Sequence, residues 1–310
     1  MGEPRRYFVV SKDDVSTLHL LSLFTVYYIS ILTPMEVKIS AAEVNKLRQM
    51  TGAGMMDCKK ALVEANGDFD TAIEGLRKKG QKLANNRADR EAKEGVCIAL
   101  AAADGTKGIV VQLSCETDFV AKNADFVAFA TMIAEAALAH FPADTEALLA
   151  LPMDGETVGA KIVEQIGVIG EKIEVAQYAR LESALVVPYI HTGNRAAVIL
   201  GLSQAGNFAE AGRNLAMQVT AMRPVAVDKD GVDSTTIEKE LDIARELARN
   251  EGKPEAMLDK IAQGRLQKFY AESTLMNQEY VRDPSMVVRA YLDGISKGLV
   301  VTAFTRVALG

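Results

Sequence analysis

The sequence predicts an α+β protein: an N-terminal three-helix domain, then a duplicated α+β core with an inserted antiparallel helical hairpin. Three observations lead to this fold class. Segments with helical periodicity come first, two pairs of β-rich runs joined by glycine-containing turns follow, and each pair precedes an alanine-rich helical stretch. The length of 310 residues, with 49% apolar and 25% charged residues, is enough for about two domains with a sizeable core.

The first thirty-four residues do not fit this pattern. Residues 18–32 form an uncharged apolar run that is short for a membrane-spanning helix, which needs about 20 residues. The run is more similar to the apolar region of a signal peptide, but no small-residue cleavage site follows it. We therefore expect residues 1–34 to be a non-native upstream extension, with Met35 as the start. A targeting or anchor segment and a folded part of the protein are the alternatives.

Residues 35–80 are expected to form a three-helix domain. Ser40 and Glu43 have the spacing of a capping box that opens the first helix, and Asp68 can cap the third. A basic stretch follows, in which glycine and asparagine interrupt the lysines and arginines. Residues 81–94 are therefore predicted to be a partly helical, solvated linker, since the stretch has no aromatic residues on which bases could stack.

The core is predicted to have two related halves, residues 95–182 and residues 183–310, each opening with a β-hairpin. The turn signal Asp104–Gly105 sets a register that places Cys97 opposite Gln112, so no disulfide is expected between the strands. The second hairpin turns at Gly193–Asn194. The predicted strands are residues 96–103, 108–115, 172–179, 185–190, 196–202 and 299–307.

A helical hairpin is predicted inside the second half, at about residues 235–270. Thr235 and Glu238 form another capping-box pattern, Gly252 ends the first helix, and Pro254 suits the first turn of the second. We expect this hairpin to be a self-packed projection or a dimer arm, so a homodimer through it is possible.

The two halves differ in the connection between hairpin and helix. In the first half Phe126 follows Leu113 by thirteen positions, whereas in the second half Phe208 follows Leu202 by six. An added loop between a strand and a helix is a common place for function. The extra stretch contains Thr117, Asp118, Phe119 and Val120. A buried Phe119 is the alternative.

Composition excludes several functional classes. The net charge of −6 argues against a protein whose whole surface binds nucleic acid. Three cysteines are too few for a disulfide framework and favour a reducing, cytoplasmic compartment. The histidines lack zinc-site spacing, and the glycines match no nucleotide-binding loop. We expect no catalytic residues, no cofactor, no metal and no direct nucleotide binding.

Three strings together carry a family resemblance: TGAGMMDCKKAL at 51–62, EANGD at 64–68 and ETDFVAKN at 116–123. In this order and separation they resemble the bacterial translation elongation factor Ts family, over residues 35–310. The resemblance implies a guanine-nucleotide exchange factor for elongation factor Tu. It implies that GDP is released by binding and deforming the partner's Mg²⁺ and nucleotide site, and that the small helical domain has a ubiquitin-associated-like fold. Some relatives carry a further C-terminal helical module, and contacts made by such a module are not expected here.

The resemblance also implies contact residues. The loop beside the partner's Mg²⁺ site is matched by Thr117, Asp118, Phe119 and Val120. The contact with the partner's GTPase domain is matched by Arg48, Met55 and Met56, and a turn that approaches the same domain is matched by Ile169 and Gly170. A histidine near the partner's β-barrel domain is matched by His191. No nucleic acid and no membrane are required. Two alternatives stay open: an adaptor that binds a ribosomal or ubiquitin-like partner, and an enzyme that uses Cys115 or His191. The enzyme predicts a depressed thiol pKa.

Overall fold

The computed structural model describes residues 38–309, which divide after Leu76 into two units. The prediction for residues 1–34 and their apolar run lies outside these residues. No helix within 38–309 is long and apolar enough to cross a membrane. The described residues form a mixed α+β fold with eleven α-helices and small antiparallel sheets.

The first unit contains α1 (Ala41–Thr51), α2 (Met55–Glu64) and the beginning of α3 (Phe69–Arg87). The capping box predicted at the start of α1 is confirmed: the Glu43 N–H donates to Ser40 Oγ, and the Ser40 N–H donates to the Glu43 carboxylate. Gly52 ends α1 with a φ of 68°, a left-handed conformation that costs glycine little. The core of this unit consists of Val44, Leu47, Ala53, Cys58, Ala61, Leu62 and Ala72.

The segment predicted as a solvated linker differs in the structure. α3 continues to Arg87, and its residues Leu83 and Ala84 pack against the core of the second unit. Gly80 does not interrupt the helix; it allows a close approach to the helix Val158–Ile169. A Cβ atom at Gly80 would lie 3.1 Å from the Val163 carbonyl oxygen. The sequence did not indicate this contact, because Gly80 has no side chain and the residues around it are mostly basic.

Two three-stranded antiparallel sheets form the centre of the second unit. The first, in the order β1-β2-β5, consists of β1 (Glu94–Ala101), β2 (Lys107–Cys115) and β5 (Ile173–Glu182). The second, in the order β10-β7-β6, consists of β6 (Leu185–Ile190), β7 (Ala196–Leu202) and β10 (Val301–Ala308). Cys97 lies opposite Gln112, which confirms the predicted register. In both sheets a third strand joins the second strand of a hairpin.

Eight helices and two short strand pairs complete the unit. The helices are α4 (Asp118–Ala121), α5 (Ala124–His140), α6 (Thr145–Leu149), α7 (Val158–Ile169), α8 (Ala209–Met222), α9 (Ser234–Asn250), α10 (Glu255–Ser273) and α11 (Val288–Ile295). The pairs are β3 (Pro152–Met153) with β4 (Glu156–Thr157), and β8 (Glu279–Tyr280) with β9 (Asp283–Val287). α9 and α10 pack on each other, and Arg245 of α9 is ion-paired with Asp259 of α10.

The two sheets pack face to face. Because side chains alternate along a strand, each strand supplies one set of side chains to the space between the sheets and one to a helical layer. The shared inner cluster is Cys97, Ala99, Val110, Val186, Ala197, Ile199 and Val307. The outer face of the first sheet packs on α5 and α7, and that of the second packs on α8 and α11.

Strand ends from both sheets meet at one edge of this unit. Glu94 begins β1 opposite Cys115, the last residue of β2, and Cys115 in turn lies opposite Ile173 at the start of β5. Arg195, just before β7, is ion-paired with Glu94 at 2.6 Å. The connections that leave these strand ends therefore lie close together, and they include the added loop.

Candidate partner-binding site

The added loop of the first half is a structured turn that leads into a one-turn helix. Thr117 caps α4, and its hydroxyl accepts a hydrogen bond from the Val120 N–H. Val120 packs against the core of the first sheet and Ala121 is buried, so the back of the turn is fixed by apolar contacts. Asp118 and Phe119 lie on the opposite side of the turn.

Phe119 is the most exposed large apolar side chain among the described residues, at 84%. The alternative of a buried Phe119 is therefore wrong. A single exposed apolar residue on a turn with a buried back is a rigid apolar projection. Asp118 beside it is ion-paired with Lys122 at 2.6 Å, and the Lys122 ammonium lowers the pKa of the Asp118 carboxyl. Asp118 is therefore a carboxylate at neutral pH.

Glu171 holds the entry of this loop. Its Oε2 accepts the backbone N–H groups of Glu116 (3.1 Å) and Thr117 (3.0 Å), and its Oε1 accepts the Thr117 hydroxyl at 2.6 Å. One carboxylate from a residue 54 positions away thus satisfies three donors of the loop. Hydrogen bonds to a charged acceptor are stronger than neutral ones, so this clamp fixes the direction in which α4 begins.

Glu116 forms a second clamp on the same loop. Its carboxylate accepts hydrogen bonds from Arg87 (2.6 Å), Arg90 (3.0 Å) and the Lys172 N–H (2.6 Å). Burial raises the pKa of Glu116, but these three donors outweigh it and lower the pKa to about 2. The basic segment predicted as a linker therefore supplies two arginines that anchor the added loop.

Ile169 and Gly170 lie directly before Glu171, and so are brought close to the added loop. Gly170 ends α7 with a φ of 82°, and the turn this permits directs the chain to Glu171. Ile169 is partly buried against the core of the first sheet, so it is less available to a partner than Phe119.

His191 lies on the β6–β7 turn at the same edge. Its side chain is exposed, and its Nδ1 is 2.9 Å from the Tyr189 hydroxyl. Arg195 of the same turn is ion-paired with Glu94 and is also attracted by Asp118. The structure thus places the His191 turn and the added loop on one edge, although 70 residues separate them.

Arg48, Met55 and Met56 belong to the first unit. Met55 and Met56 begin α2 and are 56% and 75% exposed, and Arg48 near the end of α1 is exposed as well. Both methionines face outward, because Cys58 and Leu62 supply the buried side of α2. Unbranched, polarisable methionine suits a contact surface that adapts to a partner.

The enzyme alternative is contradicted at Cys115. Its thiol is buried, and burial raises its pKa to about 12, opposite to the depression that a nucleophile needs. Within residues 38–309 no group of three or more His, Cys, Asp or Glu side chains is arranged to hold a metal ion.

Sequence reasoning missed Glu171 and the role of Glu116. A clamp between residues 54 positions apart leaves no local pattern, and only the presence of two acidic residues beside turns at 116 and 171 could have drawn attention to them.

An α+β fold that presents an exposed apolar side chain on a strand-end turn favours a protein-binding factor. The family model "Elongation factor TS" matches residues 116–310. The chain is also 55% identical over 274 residues to Elongation factor Ts of Christiangramia forsetii, with 88% of this chain and 99% of the relative covered. It is 53% identical over 273 residues to that of Flavobacterium psychrophilum, with the same shares covered. The chain therefore belongs to the elongation factor Ts family.

Proposed function

We propose that this chain is the guanine-nucleotide exchange factor for elongation factor Tu and acts during translation elongation. The observation that carries the proposal is Phe119: it is 84% exposed, yet the turn on which it stands is clamped by Glu171 and Glu116. An apolar group held rigidly in water favours insertion into another protein. Membership of the elongation factor Ts family supports the same function.

The chemistry of exchange requires no bond to be broken. Tightly held GDP and Mg²⁺ leave when their site is deformed, and Mg²⁺ is sensitive to deformation because it demands near-ideal octahedral geometry. Phe119 acts as the wedge that displaces elements beside that site. Asp118, an exposed carboxylate, competes for polar groups or repels the anionic site. The loop residues Thr117 and Val120 hold the wedge in place.

Linkage makes the exchange reciprocal. If the factor lowers the affinity of its partner for nucleotide, nucleotide lowers the affinity of the partner for the factor by the same ratio. Incoming GTP therefore expels the factor, and the factor is not consumed. The chain needs no catalytic side chain and no cofactor for this role.

The other predicted contacts complete the proposed interface. Arg48, Met55 and Met56 bind the GTPase domain of the partner from a helical domain of ubiquitin-associated type. Ile169 and Gly170 approach the same domain, and His191 approaches the β-barrel domain. A cytoplasmic location and a homodimer through the α9–α10 hairpin are further parts of the proposal. The adaptor alternative is not favoured by the family.

The proposal is tested by the release of labelled GDP from purified elongation factor Tu. The unmodified chain should accelerate release strongly, Phe119→Ala should lose most of that acceleration, and Met132→Ala, which shortens an exposed apolar side chain on α5, should keep it. Circular dichroism checks that both variants are folded. No acceleration by the unmodified chain would reject the function. Full acceleration by Phe119→Ala would reject the wedge alone.

A further inference from the structure

We propose that a cavity in the second half of the core binds an oxyanion, either a phosphate or a carboxylate group. The cavity has a volume of about 580 Å³ and lies where α8, the end of β10 and the His191 turn approach each other. Among residues 38–309, four arginines line it: Arg195, Arg223, Arg282 and Arg306. None of the other lining residues in that range is acidic.

Most of this positive charge has no counter-charge among the residues that the structure describes. Arg195 is ion-paired with Glu94, which lies outside the cavity lining. Among residues 38–309, no carboxylate lies within ion-pairing distance of Arg223, Arg282 or Arg306. Three like charges around one cavity repel each other unless an anion neutralises them.

Arg306 is the strongest single indication. Its Nε–H is buried, and no acceptor within the described part of the chain reaches it. Burial and the nearby charge of Arg223 lower the pKa of Arg306. A buried donor without an acceptor costs free energy, and a guanidinium is matched best by the paired oxygens of a carboxylate or phosphate.

The wall of the cavity is fixed before any ligand arrives. Gln218 of α8 donates to the Glu279 carbonyl at 3.0 Å, and its carbonyl oxygen accepts the Val281 N–H at 3.1 Å. The β8–β9 turn that carries Arg282 is thereby tied to α8. The backbone that carries Arg282 is therefore fixed, and binding an oxyanion requires ordering only of the exposed arginine side chains.

The net charge of the chain makes such a site distinctive. At −6 the protein as a whole repels anions, so an anion that binds must be recognised locally. The oxyanion can come from a free phosphate-type ion or from an acidic side chain of a protein partner. The second source rests on the proposed function, since His191 belongs to both the cavity and the proposed interface.

The first arm of the test measures the binding of inorganic pyrophosphate to the chain alone, by calorimetry at low ionic strength. Arg223→Gln with Arg282→Gln should weaken binding by at least about tenfold, since two charge-assisted contacts are lost. The matched control, Lys260→Gln with Lys268→Gln, removes the same charge from exposed positions of α10 and should change binding by less than about twofold.

A second variant guards against a misfolded double mutant. Val281 is exposed at the cavity wall, so Val281→Asp places a carboxylate there while every arginine is kept. This carboxylate should occupy the site and abolish pyrophosphate binding, with an unchanged circular dichroism spectrum.

The second arm measures binding to nucleotide-free elongation factor Tu. If the partner supplies the carboxylate, the arginine variant should weaken the complex by about tenfold and the lysine control by less than about twofold. A cavity-specific loss in either arm supports the site and identifies the source. Without a cavity-specific loss in either arm, the proposal is overturned. If the unmodified chain does not bind the factor at all, the proposed function fails and the pyrophosphate arm alone decides.

Discussion

Replacing Glu171 by Ala tests whether the clamp at the entry of the added loop holds the wedge. The change removes the carboxylate that accepts the Glu116 N–H, the Thr117 N–H and the Thr117 hydroxyl, at 3.1, 3.0 and 2.6 Å. The apolar anchors of the turn, Val120 and Ala121, are untouched. The loop should therefore keep its apolar contacts at Val120 and Ala121 but lose the hydrogen bonds that fix Glu116 and Thr117.

The magnitude follows from those three contacts. A hydrogen bond to a charged group contributes about 1.5–3 kcal/mol, but Glu171 is half-buried and water can reach the freed donors, so about 2 kcal/mol for the set is expected. Since 1.4 kcal/mol is a factor of ten, the opening equilibrium of the loop should rise about 30-fold. Glu171→Gln keeps an oxygen for the two N–H groups and should show a smaller change.

Amide hydrogen exchange of the segment 116–121 measures this opening directly. The matched control is Glu174→Ala on β5, which breaks only an ion pair with Lys172 in which the Glu174 side chain is 45% exposed. GDP release should slow in Glu171→Ala, because a wedge on an open loop is no longer pre-positioned. Unchanged exchange at 116–121, or an equal change in the Glu174→Ala control, would refute the clamp.

Three further predictions concern stability and reactivity. Gly212→Ala should destabilise the protein, since the added Cβ would lie 2.4 Å from the Val187 side chain. Gly264→Ala has open space around it and should stabilise α10 by up to about 1 kcal/mol. Thermal unfolding measures both changes. The pKa of Glu116 is about 2, below its ordinary value near 4.5, so its contribution to the free energy of unfolding is full above pH 4.5 and is lost as the pH falls towards 2. In Glu116→Gln the free energy of unfolding should therefore depend less on pH between 4.5 and 2. An unaltered pH dependence in acid unfolding would contradict this. Cys115 should resist alkylation at pH 8 until the protein is unfolded, as its thiol pKa is about 12; rapid labelling of the native protein would contradict its burial.

Local chemistry made much of the fold predictable. The capping box at Ser40 and the turn at Asp104–Gly105 act within a few residues, so the sequence alone indicates where α1 begins and which residues of the first hairpin face each other. The added loop was also visible, because the two hairpins are followed by connections of different length. Its exposed Phe119 could be suspected but not established, since burial depends on residues far away in the chain.

Long-range contacts could not be predicted in the same way. Glu171 meets Thr117 across 54 positions, and the arginines of the cavity come from four separate elements between residues 195 and 306. Glycine is a poor helix former, yet α3 continues through Gly80 because tertiary packing against α7 overrides that preference. In each case the deciding partner is supplied by the topology of the two sheets.

The apolar cluster between the two sheets has a consequence for cooperativity. Ala99 and Val110 come from the first sheet, and Ala197 and Ile199 from the second, so each sheet would expose an apolar face if the other were to unfold. Unfolding of one sheet therefore also removes the burial of apolar surface that stabilises the other sheet. The edge that holds the added loop and the His191 turn should then be lost in a single step on heating, instead of decaying one turn at a time.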